Sequence, residues 1–253
     1  MRAAITILYE GLHHLKHNGF ADFMAENFDA WIVVEGHSLP YGSTKWCNMI
    51  SVPATSKDGT VEFMREFASD HKNVYFYSSG GKYYNGKDQQ VNVAIGILKK
   101  LTKSCYLWQV DADEQWSVED IEKAEMIASE SSEIGFKFQF NHYVGEGIIA
   151  VGEWGSNWHH RLWKWSGQLF QTHEPPILRG QKKTAPIERI KYEHYAYYNP
   201  IDVKFKSKYY PGHEKVFENW PSIQKPNTYP MPLSRLFGED SKYSKTNSQI
   251  ILI

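Results

Sequence analysis

The stretch Tyr106–Trp116, YLWQVDADEQW, changes character halfway along. Five mostly apolar residues run straight into Asp111, Asp113 and Glu114. A buried strand that ends in this much negative charge needs something positive against it, because carboxylates leave water only at a large cost unless they are paired.

Upstream of it the chain alternates two patterns. Ala3–Tyr9 (AAITILY) and Ala30–Gly36 (AWIVVEG) read as buried strands, with a helix over Leu12–Phe28 interrupted near Gly19. Val61, Met64, Phe67 and Ala68 give a helical stripe, Asn73–Tyr77 a third strand, and Val91, Ala94, Ile95, Leu98 and Leu101 a helical face before CYLWQV. Downstream, Ser117 and Asp120 form a capping box opening a helix with Ile121, Ala124, Ile127 and Ala128 on one side. Continuous apolar strands separated by amphipathic helices predict an α/β fold, a mostly parallel Rossmann-like sheet covered on both faces. Ligands of such sheets bind beyond the carboxyl ends of the strands, where Glu10, Glu35, the loop SSGGKYYNGKDQQ and the Asp111 cluster all fall.

From about residue 134 the pattern becomes an alternating strand, IGFKFQFNHY, then the aromatic-rich GEWGSNWHHRLWKW, HEPPIL and YEHYAYYNP. With no Gly/Ser-rich linker between the halves, residues 1–215 read as a single domain, 1–116 facing a nucleotide and 117–215 an acceptor. Residues 216–253 form an extension, expected to be irregular from Trp220 because of Pro221, Pro226, Pro230 and Pro232, although the closing QIILI could pair with another strand.

Two carboxylates two positions apart just past a strand end can both reach one divalent cation. Oxygen donors suit Mg²⁺ or Mn²⁺, and Mg²⁺ commonly keeps one or two protein carboxylates plus substrate phosphate oxygens. The competing reading is that Asp111 caps a turn while Asp113 and Glu114 are solvated.

The acidic D-x-D after a strand, behind a helix carrying Lys87, Gln90 and Asn92, resembles the nucleotide-sugar half of GT-A glycosyltransferases of the family 2-like, inverting group. Arg161-Leu162-Trp163-Lys164, His173-Glu174, His194-Tyr195-Ala196-Tyr197 and Lys208-Tyr209-Tyr210 extend the resemblance over residues 3–211. Where that group follows its first strand with a polar segment such as K-N-E, this chain has YEGLHHL.

The resemblance implies that Asp113 binds Mn²⁺ or Mg²⁺, that Asp111 contacts the ribose or the metal, and that Glu35 faces the base. It implies a histidine completing the metal shell, His194 ahead of His173. The donor would be a UDP-, GDP- or dTDP-sugar. Glu174 is the candidate general base, removing the acceptor hydroxyl proton, with Glu153 and Glu146 as rivals in Gly-flanked loops. Lys87 and Lys82 are candidates to meet phosphate, with Asp88 as helix N-cap. Glu153, Trp154 and Trp158 border the acceptor; of Trp154, Trp158, Trp163 and Trp165, at least two are expected in the core. His159 and His160 read as hydrogen-bonded inside an aromatic cluster.

Other classes fit less well. A haloacid dehalogenase-like phosphotransferase places D-x-D after its first strand, a sugar nucleotidyltransferase needs a Gly-rich N-terminal signature, and a catalytically inactive GT-A-like module binding a glycan or a partner remains as the non-enzymatic alternative. The acceptor could be a glycan, a lipid-linked sugar, a protein side chain or a modified nucleic-acid base. The last follows from nine Lys or Arg (179, 182, 183, 189, 191, 204, 206, 208, 215) against four acids (188, 193, 202, 214) in one segment.

At 253 residues and 42% hydrophobic, the chain can bury a large core, and a net charge of -1 argues against a field that drives it onto nucleic acid or anionic lipid. Cys47 and Cys105 form neither a metal pair nor a disulfide framework, which fits a reducing compartment. No apolar run reaches the ~20 residues of a membrane span, so a cytoplasmic location is expected.

Overall fold

The computed structural model describes residues 1–155, 157–225 and 229–253. In chain order the elements are β1 (Arg2–Leu8), α1 (Leu12–Lys16), α2 (Phe20–Asn27), β2 (Ala30–Glu35), α3 (Thr60–Asp70), β3 (Val74–Ser78), α4 (Lys87–Leu101), β4 (Cys105–Gln109), β5 (Glu114–Gln115) and α5 (Val118–Glu130). They continue as β6 (Gly135–Gly145), β7 (Ile148–Val151), β8 (His159–Trp165), β9 (Phe170–His173), β10 (Pro176–Leu178), β11 (Thr184–His194), α6 (Pro200–Tyr209), α7 (Val216–Ile223), β12 (Met231–Pro232), α8 (Ser234–Phe237) and β13 (Gln249–Leu252).

Strands β4, β1, β2 and β3 lie side by side in that order, all parallel. Their side chains alternate between two cores, as a pleated strand requires. Ala4, Leu8, Trp31 and Val33 face one cluster with α2, α3 and α5; Ala3, Ile5, Ile32 and Val34 face another with α4, Trp163 and Phe170. Covering both faces accounts for strands that are apolar at nearly every position. Thr6, buried in β1, is satisfied: its hydroxyl donates to the Val110 carbonyl at 2.7 Å and accepts from the Trp31 indole at 2.9 Å.

Beyond β4 the sheet turns antiparallel through β8, β6 and β7. The α/β class expected from the sequence, a parallel half followed by an aromatic-rich half, is the architecture observed. The helix at Leu12–Phe28 is broken where anticipated, Gly19 taking φ of 69° as the cap before α2.

The segment after Trp220 is more regular than its prolines suggested. β13 pairs with β7, so QIILI does find a strand, and Pro232 sits in β12 at the sheet edge, where a missing N–H costs no ladder bond. Val144, Val203, Val216, Ile223, Phe237 and Ile250 join in a third core; Pro226 lies outside the described residues. Among the described residues no helix is long and apolar enough to cross a membrane.

His213 sits in that third core, its ring 5.0 Å from Phe237 and 4.9 Å from Tyr243. Burial lowers its pKa to about 4. A histidine depressed in the folded state contributes stability that is whole above its unfolded value of about 6.5 and is lost as pH falls toward the folded value. Between about pH 6.5 and 4 the wild type should therefore lose on the order of 3 kcal/mol more than His213→Phe. Urea midpoints followed across that interval measure it; parallel curves would contradict it.

Candidate active site

A cavity of about 520 Å³ opens at the carboxyl ends of β1, β2 and β4. That volume suits a ligand the size of a sugar nucleotide. Its wall includes Gly36, His37, Lys87, Asp111, Asp113, Trp158, Arg161, His173, Glu174, His194 and Lys206.

The positive partners of the acidic stretch come from strand β8 and helix α6. β8 runs antiparallel to β4 with Leu162 opposite Trp108, so Arg161 lies beside the end of β4. Its guanidinium is 2.7 Å from Asp111 Oδ2 and 2.6 Å from Glu114 Oε1. One cation against two carboxylates leaves Glu114, with a fully buried side chain, pushed up to about 8 by burial despite Arg161.

Asp113 is served separately. β5 pairs with the end of β11, setting His194 opposite Glu114 and its Nε2 3.7 Å from Asp113 Oδ2. Asn199 caps α6 by accepting from the Ile201 N–H, Pro200 starts the helix, and Lys206 reaches back to Asp113 Oδ2 at 3.1 Å. Burial alone would raise the Asp113 carboxyl, but Lys206 and then His194 outweigh it and hold it well below the usual range.

Glu174 stands at the turn between β9 and β10. Asn92 on α4 exchanges hydrogen bonds with the backbone of Phe170, and Asp88 accepts from the His173 N–H at 2.7 Å and the Ser43 N–H at 2.8 Å. Asp88 therefore docks the hairpin from the first turn of α4 and is not its N-cap, which is Gly86. Gly86 needs to be glycine: its φ is 82° and a Cβ would stand 2.5 Å from the Tyr41 carbonyl oxygen. Lys87, the first helical residue, meets Glu174 Oε1 at 2.8 Å. Burial raises the Glu174 carboxyl, yet Lys87 more than offsets it, so it stays below its ordinary value and ionised.

The structure thus brings Lys87, Asp111, Asp113, Trp158, Glu174 and His194 to one cavity. His159, His160 and His173 line it as well, and the other candidates lie off its wall. Both Glu35 oxygens are taken, one by the Ser56 N–H and one by the Ser78 hydroxyl, each at 2.7 Å, so it ties the loop before α3 to the end of β3. Trp154 stacks on His142 at 4.2 Å in the third core, and Trp163 and Trp165 are buried in the sheet. Glu153, Glu146 and Lys82 are exposed and off the cavity wall. His159 and His160 bond to the Tyr192 hydroxyl and the Pro176 carbonyl. His173, contacted by Gln109 at 3.2 Å, is kept neutral by burial, its pKa down to about 3.

For a divalent ion the D-x-D is a poor fit as arranged. Arg161 holds Asp111, and the Lys206 ammonium lies on the Asp113 oxygen that faces His194. Asp111, Asp113 and His194 do not converge as one donor set; among the described residues the set of three that does is His13, His14 and Asp202.

Four features escaped the sequence reading. Arg161 was seen as part of a motif without a partner, Lys206 only as one of a basic run, and the His13–His14–Asp202 group not at all. Trp46, 45% exposed, lines the cavity and stacks on Tyr210 at 5.5 Å. Only the HH dipeptide carried a readable trace.

No family model matches the chain, and no curated protein matches it. Among solved structures it is similar to S. aureus TarS, with 12% identity and a TM-score of 0.45 over 88% of this chain and 42% of that one. It is also similar to the 1–349 portion of S. aureus TarS (16%, 0.40, 58% and 38%) and to 4-diphosphocytidyl-2C-methyl-D-erythritol synthase (13%, 0.36, 64% and 74%). The chain spans about two fifths of the length of the TarS structures.

Proposed function

We propose that the chain is a glycosyltransferase that moves a sugar from a nucleotide-sugar donor to an acceptor hydroxyl with inversion. The observation that carries this reading is a cavity at the strand ends in which two of the wall's carboxylates, Asp113 and Glu174, are each kept ionised by its own lysine. Such a wall offers cations to a diphosphate and a base to a hydroxyl.

In this reading the acceptor oxygen attacks the anomeric carbon, the bond from that carbon to the diphosphate oxygen breaks with its electron pair on the leaving group, and the hydroxyl proton passes to Glu174. A diphosphate drawing the Lys87 ammonium toward itself relieves Glu174 of the charge that depresses its basicity, so donor binding switches on the base. Lys206 balances the leaving group on the other side. The carboxylates nearest the strand ends are already charge-paired, Asp111 with Arg161 and Asp113 with Lys206, so the charge of the leaving group falls to the lysines. The stacked Trp46–Tyr210 pair offers the acceptor a flat apolar face.

The test is release of nucleoside diphosphate from a panel of UDP-, GDP- and dTDP-sugars by wild type and by Asp113→Ala, with Mn²⁺, with Mg²⁺ and with EDTA. Turnover restricted to one donor and lowered by about 10²-fold or more in Asp113→Ala supports the reading. No turnover with any donor, together with no rise in melting temperature with any nucleotide, would leave the glycan- or partner-binding module in its place.

A further inference from the structure

We propose that His13, His14 and Asp202 form a binding site for one divalent first-row transition-metal ion, with Zn²⁺ preferred and Mg²⁺ excluded. His13 Nε2 lies 3.1 Å from both oxygens of Asp202, and His14 Nε2 lies 3.0 Å from Oδ2. The three donor atoms fall within 4.8 Å of one another.

Neighbouring residues of a helix point about 100° apart and rarely share a target. Here α1 is five residues long, and the two imidazoles stand side by side with centroids 4.0 Å apart, both aimed at one carboxylate. Two imidazolium rings at that distance repel, and a single carboxylate balances only one of them. Two neutral imidazoles sharing one cation with the carboxylate have no such conflict.

The spacing fits. Donors about 2.0–2.2 Å from a tetrahedral ion stand roughly 3.3–3.5 Å apart, a few tenths of an ångström beyond the distances observed. Two nitrogens and one oxygen suit Zn²⁺ and its neighbours, whereas Mg²⁺ demands oxygen donors. Three protein ligands leave a position open. His14 and Asp202 line the same cavity as Asp113 and Lys206, Asp202 lying one helical turn before Lys206 on α6, so the open position faces the space given above to the donor diphosphate, a role that rests on the donor reading while the ion site itself does not.

The experiment uses untagged, chelator-treated full chain without substrate, so its failure leaves the donor reading untouched. Calorimetric titration with Zn²⁺ should give one tight equivalent and with Mg²⁺ none. His14→Ala and Asp202→Asn should each weaken Zn²⁺ by at least about 100-fold, beyond the usual cost of losing a supporting partner, while Asp113→Asn keeps wild-type affinity. Should a variant fail to fold, the wild-type Co²⁺ derivative decides: strong visible absorption from a low-coordinate, imidazole-bound ion supports the site, and the faint spectrum of a six-coordinate aqueous ion overturns it. No Zn²⁺ binding, or binding lost in Asp113→Asn and kept in His14→Ala, would overturn it as well.

Discussion

Glu174→Gln is expected to lower sugar transfer by about 10²–10⁴-fold while leaving donor affinity within a few-fold of wild type. The amide keeps the shape of the carboxylate and still accepts from Lys87, so the β9–β10 turn and its contacts to Asp88 and Ser43 should stand. What disappears is the ability to take a proton. A fall of that size in kcat with unchanged nucleotide binding by calorimetry identifies the base. Transfer at the wild-type rate would remove Glu174 from the chemistry and pass the role to another carboxylate of the cavity.

Arg161→Met carries the largest expected effect on stability, about 3–5 kcal/mol above about pH 8, where it strands a buried carboxylate. The guanidinium is 6% exposed and is shared by Asp111 and the wholly buried Glu114. The cost should grow with pH. Glu114 is already raised to about 8, so in acid it can be protonated and needs no partner, whereas in alkali the wild type gains an ion pair that the variant lacks. Urea unfolding at about pH 6 and about pH 9 should show a clearly larger deficit at the higher value. Adding Glu114→Leu should return most of the loss, since replacing both members of a buried pair is often neutral. An equal deficit at both pH values, with no rescue, would mean that Arg161 acts through packing alone.

The parallel half was legible because its evidence is local. Each of β1, β2 and β4 is a short apolar run next to a helix with one apolar stripe, and their order follows from that alternation. The acidic stretch could likewise be placed at the ligand edge. Its partners could not be read, because Arg161 lies 50 residues beyond Asp111 and Lys206 lies 93 beyond Asp113, and only the antiparallel turn of the sheet brings them back. Composition counted Lys206 with an outer basic surface; geometry turns it inward. Trp154 and Trp158 look alike in sequence, yet one packs in the third core and the other lines the cavity, a difference that depends on how β6, β7 and β8 pair. Glu35 was correctly placed at a strand end, but nothing local revealed that Ser56 and Ser78 would use both of its oxygens.

The pairing of β13 with β7 also orders events in time. Ile250 meets Ala150 only after the 100 residues that separate them have followed from a ribosome, and the core that Ile250 completes is the one against which α6 leans through Val203. The parallel half is complete in the chain once β4 has been made at Gln109, and it can assemble well before then. A nascent chain would thus hold its cavity floor and its acidic stretch early, with the α6 wall that carries Lys206 settling only after β13 has been made.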